Sequence, residues 1–351
     1  MARPARVTIQ QPDGRHVYLY GDHTPAPAGY QAPSIQPGAY QRRWNPLRRE
    51  WVLVAAARQG RTFLPDRSQC PLCGSTPGHS TEIPAARFDA AVFENRFPGM
   101  LATGDRPPPE PGVRIEPSSG VCEVVVYTDE HEGSFGTLAP QRLDLLVEVW
   151  TDRYRALASR EDVQYVFIFE NRGEAVGVTL HHPHGQIYAY PFIPPVPDIE
   201  LRAGSRGCLQ CRLLADELAD GRRVLIGERG LVAYVPGYAR WPYEVHLVVR
   251  AHLGALPDLP AAGRRALGSA MQRVARAYDS LFGVPMPYMM ALHQRPTDGR
   301  DHPQAHLHAE FYPIMRDQGK LKYLAGSESG AGVFINDTLA EESAARLRQR
   351  M

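Results

Sequence analysis

The sequence predicts an α+β protein made of two copies of one unit in tandem. Two series of landmarks follow each other in the same order: a Cys-x-x-Cys pair, β-like runs, a lone histidine, a long amphipathic helix and a closing His-x-His motif. The lone histidine precedes the closing motif by 51 residues in the first series and by 54 in the second. Chance could supply any one landmark, but an ordered set of this kind indicates an internal duplication.

The composition is typical of a packed globular protein. Hydrophobic residues make up 43% of the 351 and charged residues 22%, and the length leaves room for two ordinary domains. A net charge of +1 gives no support for nucleic-acid binding. The first residues lack the apolar run of a signal peptide, and no stretch approaches the length of a membrane span. We therefore expect a cytoplasmic protein without nucleic-acid or membrane partners.

Each unit is expected to contain several strands and one long helix. Residues 1–40 are rich in Pro, Gly and Gln, so we expect a loosely ordered arm there, followed by units at 41–200 and 201–351. Runs of β-branched and aromatic residues predict strands at 50–61, where the strand runs into a loop, and at 90–95, 121–128, 164–171, 222–228, 231–235, 243–250, 287–294 and 306–312. Apolar residues at helical spacing, with a proline near the start, predict helices over 138–160 and 259–282.

Four of the five cysteines form two Cys-x-x-Cys pairs. Without a secretory signal, such pairs are more typical of metal or redox sites than of disulfides. Each pair is followed in register by two histidines, and two thiolates with two imidazoles make a closed, tetrahedral and therefore structural zinc site. The two pairs lie too far apart in sequence to form a single zinc ribbon. The predicted zinc ligands are Cys70, Cys73, His131 and His182 in the first unit, and Cys208, Cys211, His252 and His306 in the second.

The segment HHPHGQ at 181–186 is the candidate reaction centre. If His182 holds a metal, His184 lies two positions further along an extended segment, on the same side as Gln186. A neutral imidazole is a good nucleophile toward phosphorus near pH 7. The Gln186 amide can donate a hydrogen bond to a phosphoryl oxygen but no proton to a leaving group, and Gly185 would let a phosphate approach the backbone. This pattern suits transfer of a nucleotidyl group onto His184 when the leaving group is already acidic, as a sugar phosphate is. The alternative is that Gln186 is an ordinary polar strand residue.

Several blocks of the sequence carry a resemblance to a known family. From about residue 40 to the end, the chain resembles the galactose-1-phosphate uridylyltransferase family of the histidine-triad superfamily. The most specific block is HPHGQ, because hydrolases of that superfamily carry a third histidine where this chain has Gln186. The resemblance implies a tandem duplication of a histidine-triad-like unit, with a mostly antiparallel sheet and flanking helices. The matching blocks are RRWNPL (42–47), WVLVAAARQGR (51–61), CPLCG (70–74), VFENRFP (92–98), FENRGEAVG (169–177), HPHGQIY (182–188), LHAEFYP (307–313) and KYLAGSE (322–328).

The resemblance also implies an enzyme, a UDP-glucose–hexose-1-phosphate uridylyltransferase with a ping-pong reaction. UDP-glucose would transfer its uridylyl group to His184 and release glucose 1-phosphate, and galactose 1-phosphate would then attack the uridylyl-histidine to give UDP-galactose. A homodimer is implied, in which residues of one chain complete the site of the other. By motif position, the hydrogen-bond donors to the phosphate oxygens are Gln186, Thr179 and Asn171, and the arginines near the phosphates are Arg58 and Arg61. The uridine-binding segment contains Asn95 and Phe97, and Gly177 also belongs to the substrate-binding set. Lys322 and Glu328 match the segment that contacts the hexose.

The chain departs from the family pattern at the second metal site and beside the sugar. The second site of the family, often iron, uses a glutamate and three histidines. The matching positions here are Glu200, His293, His308 and Glu310, with glutamate in place of the last histidine. We favour zinc on the set that begins at Cys208, with iron on the glutamate set as the alternative. Ser327 stands where the bacterial and animal enzymes of the family carry a tyrosine, which leaves the hexose open, and His181 precedes the motif where a proline is familiar.

Two other functions are compatible with the sequence. A nucleoside-diphosphate-sugar phosphorylase of the same superfamily, acting for example on ADP-glucose, would share His184 and Gln186 but use inorganic phosphate as its second substrate. A zinc-stabilised binding protein without catalysis would have no need of the intact His-Gly-Gln motif. The nucleotide and hexose preference, the second metal and the oligomeric state stay open at this point.

Overall fold

An eleven-stranded antiparallel sheet runs through the molecule. The computed structural model describes residues 4–35, 38–101, 107–228 and 230–351. In chain order the strands are β1 (Arg6–Gln10), β2 (His16–Pro25), β3 (Tyr40–Asn45), β4 (Glu50–Ala55), β5 (Ala85–Glu94), β6 (Ile115–Pro117), β7 (Val121–Val126), β8 (Tyr165–Arg172), β9 (His184–Tyr190), β10 (Val224–Glu228), β11 (Leu231–Tyr234), β12 (Val245–Val249), β13 (Tyr288–His293), β14 (His308–Pro313), β15 (Met315–Asp317) and β16 (Lys320–Leu321). The α-helices are α1 (Pro140–Ala158), α2 (Pro195–Ala203), α3 (Leu209–Asp220), α4 (Ala261–Phe282) and α5 (Ala340–Arg348).

The strand order of this sheet shows the duplication directly. It reads β1-β2-β5-β7-β9-β8 and then β13-β14-β12-β11-β10, so the first unit contributes one half and the second unit the other. Within each half the closing motif opens the same strand of the same triplet, β7-β9-β8 or β12-β14-β13. The halves meet where β8 pairs with β13, for example at Asn171 and Met289. The predicted α+β fold, a tandem duplication with a mostly antiparallel sheet, is confirmed.

The two long helices cover one face of the sheet, as the apolar spacing predicts. Pro140 occupies the first turn of α1, and Pro260 directly precedes α4, positions where a missing N–H costs nothing. Trp150 on α1 and Met271 on α4 are fully buried against the sheet. Burying one such side chain contributes about 1.5–3 kcal/mol. Gly268 allows α4 to lie close to α1, because a Cβ there would crowd the side chain of Val147.

Residues 6–25 differ from the loosely ordered arm that we expected over 1–40. Strands β1 and β2 form a hairpin whose second strand pairs with β5 in the large sheet. The turn between them contains Asp13-Gly14, a hairpin signal that the proline and glycine content of the segment masks. Apolar residues alternate along β2, so Val17 and Leu19 are buried, and the Tyr20 hydroxyl donates to Asp152 at 2.8 Å. The first unit therefore begins well before residue 41.

Other differences are local. The strand predicted at 50–61 ends at Ala55 and continues as a 3₁₀ turn over Ala56–Gly60. Strand β4 pairs with β3, and β3 also pairs with β6, so these three form a small separate sheet beside the large one. Within the described ranges, none of the helices combines the length and apolar character that crossing a bilayer would require.

Candidate active site and metal-binding groups

His184 begins strand β9, which lies between β7 and β8 in the large sheet. Its Nδ1 lies 2.8 Å from the carbonyl oxygen of His182, a distance at which Nδ1–H donates to that oxygen. That bond leaves the lone pair on Nε2. Burial lowers the pKa of His184, which favours the neutral imidazole. The strand therefore presents an unprotonated ring nitrogen in a fixed orientation.

His184 and Gln186 open into a cavity of about 330 Å³. Strand alternation places both side chains on the same face, as expected. Seven of the nine predicted substrate-binding residues line the same cavity: Arg58, Arg61, Asn95, Phe97, Asn171, Gly177 and Thr179. The structure thus brings together residues that are up to 128 positions apart in sequence.

Hydrogen bonds hold the cavity wall in place. Arg58 Nη1 donates to the carbonyl of Phe97 at 2.8 Å, and the N–H of Phe97 donates to Asn95 Oδ1 at 2.8 Å. The N–H of Asn95 in turn donates to Cys122 in β7, again at 2.8 Å. On the other side, the N–H of Leu64 donates to the carbonyl of Thr179. The loops that carry the predicted contacts are therefore anchored before any substrate binds.

Sequence reasoning missed several lining residues. Arg96 forms an ion pair with the buried Glu82 at 3.1 Å, and both line the cavity. Arg15, on the N-terminal hairpin, holds the other oxygen of Glu82 at 3.1 Å. Phe169 and Tyr188 add aromatic surface. Alternation from Asn171 points to Phe169 and alternation from Gln186 points to Tyr188, but nothing in the sequence connects Arg15 with this site.

Gly185 is constrained by packing on the face of the sheet opposite the cavity. A Cβ at this position would overlap the Tyr127 hydroxyl and would lie 3.0 Å from the carbonyl oxygen of Phe169. Tyr127 packs on the helix-covered face of the sheet, opposite the cavity. Packing behind the strand therefore requires a glycine here, and Gly185 also lines the cavity in front of it.

Lys322 and Glu328 do not line the cavity that holds His184. Lys322 Nζ donates to Glu328 Oε1 at 3.0 Å, and Glu328 also accepts from the N–H groups of Ala325 and Ile335 at 3.2 Å. Both side chains are buried inside their own loop. His181 lies on the surface, 3.4 Å from Glu174, and takes no part in the cavity.

The four predicted ligands of the first unit converge. Their donor atoms lie within 4.8 Å of one another, with Cys73 Sγ 3.4 Å from His131 Nδ1 and 3.5 Å from His182 Nδ1. His182 Nε2 lies 2.7 Å from the carbonyl of Thr128, so Nε2–H donates and the Nδ1 lone pair faces the sulfurs. A hydrogen bond from the Cys73 thiol lowers the pKa of Cys70 to about 3. These are the properties of a site for a thiophilic cation, with the histidine oriented by a backbone carbonyl.

The second unit repeats this arrangement. Cys208 caps α3, and its Sγ lies 3.3 Å from His306 Nδ1, while Cys211 Sγ lies 3.4 Å from both His252 Nδ1 and His306 Nδ1. Backbone carbonyls again accept from the far nitrogens: Val249 from His306 at 2.6 Å, and Pro303 from His252 at 2.9 Å. Burial lowers the pKa of His306 to about 4, which keeps the imidazole neutral. This group fits the same kind of cation.

The glutamate set forms a third group. Donor atoms of Glu200, His293, His308 and Glu310 also lie within 4.8 Å of one another, beside a second cavity of about 490 Å³. His293 Nδ1 lies 3.1 Å from Glu200, the rings of His293 and His308 stack at 4.7 Å, and His293 Nε2 is buried without a hydrogen-bond partner among the described residues. Although burial opposes it, Glu200 and Glu310 raise the pKa of His293 to about 9.

The two proposed second metal sites are therefore not alternatives. They share no residue, because His306 belongs to the cysteine group and His308, two positions on, belongs to the glutamate group. From the sequence we took the two sets as alternatives because glutamate replaces the last histidine of the family's site at position 310. The structure forms both donor sets in one chain.

Comparison with known proteins gives the same family for both halves. The model of the galactose-1-phosphate uridyl transferase N-terminal domain matches residues 32–194, and that of the C-terminal domain matches 201–351. The galactose-1-phosphate uridylyltransferase of Thermotoga maritima is 40% identical over 319 residues, covering 88% of this chain and 97% of that protein. The enzyme of the same name from Streptomyces lividans is 38% identical over 331 residues, covering 88% and 86%.

Solved structures agree with this result. A uridylyltransferase structure superposes with a TM-score of 0.79 at 32% identity, covering 88% of this chain and 98% of that one. An ADP-glucose phosphorylase from Arabidopsis thaliana has a TM-score of 0.65 at 20% identity, a likeness of fold alone.

Proposed function

Since the chain belongs to the galactose-1-phosphate uridylyltransferase family, we propose that it transfers a uridylyl group from UDP-glucose to galactose 1-phosphate through a covalent intermediate on His184. The observation that supports the mechanism is the arrangement of His184, whose Nδ1 is engaged with the His182 carbonyl and whose side chain lines the cavity. This is the geometry of a nucleophile activated by a fixed tautomer and by desolvation.

The reaction has two displacements at the α-phosphorus. His184 Nε2 attacks that phosphorus, the P–O bond to the β-phosphate breaks, and glucose 1-phosphate leaves with the electron pair. A phosphate oxygen of galactose 1-phosphate then attacks the uridylyl-histidine, the P–N bond breaks, and UDP-galactose is released. Neither leaving group requires a proton, so the amide of Gln186 suffices where a hydrolase would need an acid. We assign stabilisation of the non-bridging oxygens to Gln186, Asn171 and Thr179, which line the cavity.

The rest of the cavity is suited to the diphosphate and the uridine of UDP-glucose. We assign Arg58 and Arg61 to the diphosphate, because both line the cavity and a guanidinium matches phosphate geometry. Asn95 and Phe97 are assigned to the uridine, with a flat apolar side chain for the base and an amide for its polar edge. Gly177 is left within the same wall without a side-chain role.

We propose that both cysteine–histidine groups hold zinc in closed, structural sites. The residues are Cys70, Cys73, His131 and His182, and Cys208, Cys211, His252 and His306. The third group, Glu200, His293, His308 and Glu310, offers two imidazoles and two carboxylates, which suit a harder divalent cation such as iron. These ions would contribute folding free energy, since each group joins distant segments.

A homodimer is part of the proposal. The hexose-contacting segment that contains Lys322 and Glu328 lies away from the cavity of its own chain. Apolar side chains of that segment are exposed, including Tyr323 at 72% and Val333 at 59%. A second copy of the chain would cover this surface and bring the segment to the partner's cavity.

Isotope exchange tests the proposal. With UDP-glucose and labelled glucose 1-phosphate alone, we expect label to enter UDP-glucose, because a covalent uridylyl-enzyme forms without galactose 1-phosphate. Mass spectrometry should place one acid-labile uridylyl group on His184, and the His184→Gly variant should take up none. His181→Gly, at the neighbouring exposed histidine, is the matched control and should be labelled normally.

A panel of donors and acceptors separates the remaining alternative. Turnover of ADP-glucose with inorganic phosphate, in preference to UDP-glucose with galactose 1-phosphate, would replace the transferase by a phosphorylase. An adduct on a residue other than His184 would contradict the mechanism itself.

A further inference from the structure

A buried carboxyl network lies directly behind the reaction centre, on the face of the sheet opposite the cavity. The Tyr127 hydroxyl donates to Glu170 Oε2 at 3.0 Å, and the Tyr288 hydroxyl donates to Glu170 Oε1 at 3.1 Å. Glu170 is only 4% exposed, and both tyrosines are fully buried. A carboxyl group in such a place costs free energy unless its oxygens are hydrogen-bonded, as they are here.

The network touches the strand that carries the nucleophile. The Tyr127 hydroxyl occupies the space where Gly185 would carry a Cβ. Gly185 stands between His184 and Gln186, and its backbone pairs with Val125 of β7. The position of Tyr127, fixed by Glu170, therefore sets how closely the backbone at Gly185 can approach the helix-covered face.

The second unit supplies an internal comparison. Gln186 pairs with Phe169 and Glu310 pairs with Ala291, so the register of the two halves equates Glu170 with Leu292 and Gly185 with Ala309. The N–H of Tyr127 donates to Pro183, and the N–H of Val249 donates to Leu307, which equates Tyr127 with Val249.

The second unit thus forms the same fold with apolar side chains at the three equivalent positions, Leu292, Ala309 and Val249. The polar network is not needed to form the unit. Its Glu170–Tyr127 part lies in the half that carries His184 and Gln186, and Tyr288 reaches Glu170 from β13 of the second half.

We propose that Glu170 is a positioning residue for the transfer reaction, acting through the Tyr127 hydroxyl on the Gly185 backbone and so on the spacing and direction of His184 and Gln186. This inference rests on the proposed function. A displacement of reacting groups by about 1 Å can cost about 100-fold in rate, so a backbone support of this kind has a measurable effect.

The surroundings of Glu170 favour its protonated form. Burial raises the pKa of Glu170 to about 7, against the hydrogen bonds from Tyr127 and Tyr288 and the attraction of Arg172. Arg172 is itself paired with Asp279 on α4 at 2.7 Å. The carboxylate accepts from both tyrosines, whereas the protonated carboxyl or a glutamine accepts from one hydroxyl and donates its O–H or N–H to the other. A glutamine at this position should therefore keep both contacts, with one of them reversed in direction.

Single-turnover uridylylation by UDP-glucose is the test. Glu170→Leu, which installs the residue of the second unit, should slow labelling of His184 by about 10–100-fold while the KM for UDP-glucose changes by less than about threefold. Tyr127→Phe should have a similar effect, and the double variant should be no slower than the slower single variant, because both act through one path. Glu170→Gln should restore the rate to within about threefold of the unmodified enzyme.

Two further readouts separate positioning from general destabilisation and from failure of the proposed function. Leu292→Ala, at the equivalent site of the second unit, should lower the melting temperature without slowing His184 labelling. The imidazole NMR signals of His184, measured without substrate, should shift in Tyr127→Phe and stay in place in Glu170→Gln. Unchanged His184 signals and an unchanged labelling rate in folded Tyr127→Phe would overturn the inference. If the unmodified enzyme fails to react with UDP-glucose, the NMR comparison still decides the positioning role.

Discussion

At the scale of single residues, two hydrogen bonds with the same geometry have different consequences in the two units. His184 Nδ1 lies 2.8 Å from the carbonyl two residues earlier, and His308 Nδ1 lies 2.7 Å from the corresponding carbonyl. The first imidazole faces a cavity with Gln186 beside it, and the second faces two carboxylates and another histidine. The hydrogen bond to the backbone is the same, and the neighbouring side chains are the reason that we propose a nucleophile at His184 and a metal ligand at His308.

Replacing Gln186 tests the donor role of its amide. We expect Gln186→Ala to slow both half-reactions by about 10²–10³, because one hydrogen-bond donor to the developing charge is lost in a water-excluded site. Rapid-quench measurement of each half-reaction checks this. Gln164→Ala, directly before β8 and outside the cavity, should react at the rate of the unmodified enzyme. Equal rates for both variants would make Gln186 an ordinary strand residue.

The pKa of Glu170 gives a pH dependence of stability. Its folded-state pKa of about 7 lies above the ordinary value of 4.5, so the carboxyl stabilises the fold fully below about pH 4.5, and this contribution is lost as pH rises through 7. The loss amounts to about 2–3 kcal/mol between pH 5 and pH 8. Urea unfolding of Glu170→Gln at both pH values should lack that loss. A difference from the unmodified protein that does not change with pH would contradict the assignment.

At the scale of secondary-structure elements, the periodicity of apolar residues was sufficient to predict the long helices but not the N-terminal hairpin. Helices α1 and α4 start and end within about two residues of the predicted spans. Strands β1 and β2 were missed because they are stabilised by residues distant in sequence, as in the pairing of β2 with β5 and the contact of Tyr20 with Asp152. Composition reports how a segment behaves alone and carries no information about such partners.

The candidate site follows the same rule. Residues within a repeated or recognisable motif, such as Cys211, His184 and Asn95, were identified from the sequence, and the structure brings each of them to a donor group or to the cavity. Arg15 and Tyr127 were missed because only the folded sheet brings them to Glu82 and Gly185.

The start of α3 provides an element-scale test of the metal proposal. Cys208→Ser with Cys211→Ser should remove about one of three bound metal ions per chain and lower the melting temperature, because the link between α3 and the strand segments around His252 and His306 is lost. The rate of His184 labelling should stay the same, since this group lies in the other unit. Elemental analysis and thermal unfolding measure both effects.

Replacing His308 by alanine is the matched variant for the third group. It should remove a different ion and leave zinc content at two per chain. Unchanged metal content in the double serine variant would show that the second cysteine pair binds nothing.

At the scale of the whole molecule, the proposed reaction centre and the proposed hexose-contacting segment are separated within one chain. Lys322 and Glu328 are held together in their own loop, and His184 lies in a cavity that neither of them lines. The proposed dimer resolves this separation, because each cavity would receive its segment from the other copy.

Mixing two inactive variants tests that arrangement. His184→Gly and Lys322→Met should each be inactive or nearly so, and co-refolded mixtures should regain up to about a quarter of the activity of the unmodified enzyme. In a mixed dimer, one cavity combines an intact His184 with an intact Lys322 from the other chain. Mixing each variant with itself is the control. Absence of any gain in dimers that have demonstrably exchanged would mean that each site is completed within its own chain.

The β8–β13 junction has a consequence for how the polypeptide can be divided. Each half of the large sheet is contiguous in sequence, and the connection between them passes through the exposed residues 205–207. None of the strand pairings in the sheet depends on the peptide bonds at that point. Two separately translated fragments, 1–205 and 206–351, should therefore find each other through the unpaired edges of β8 and β13 and the faces of α1 and α4. In this sense the two halves resemble the two subunits of a heterodimer joined in one polypeptide. Each half could be expressed, replaced or varied separately.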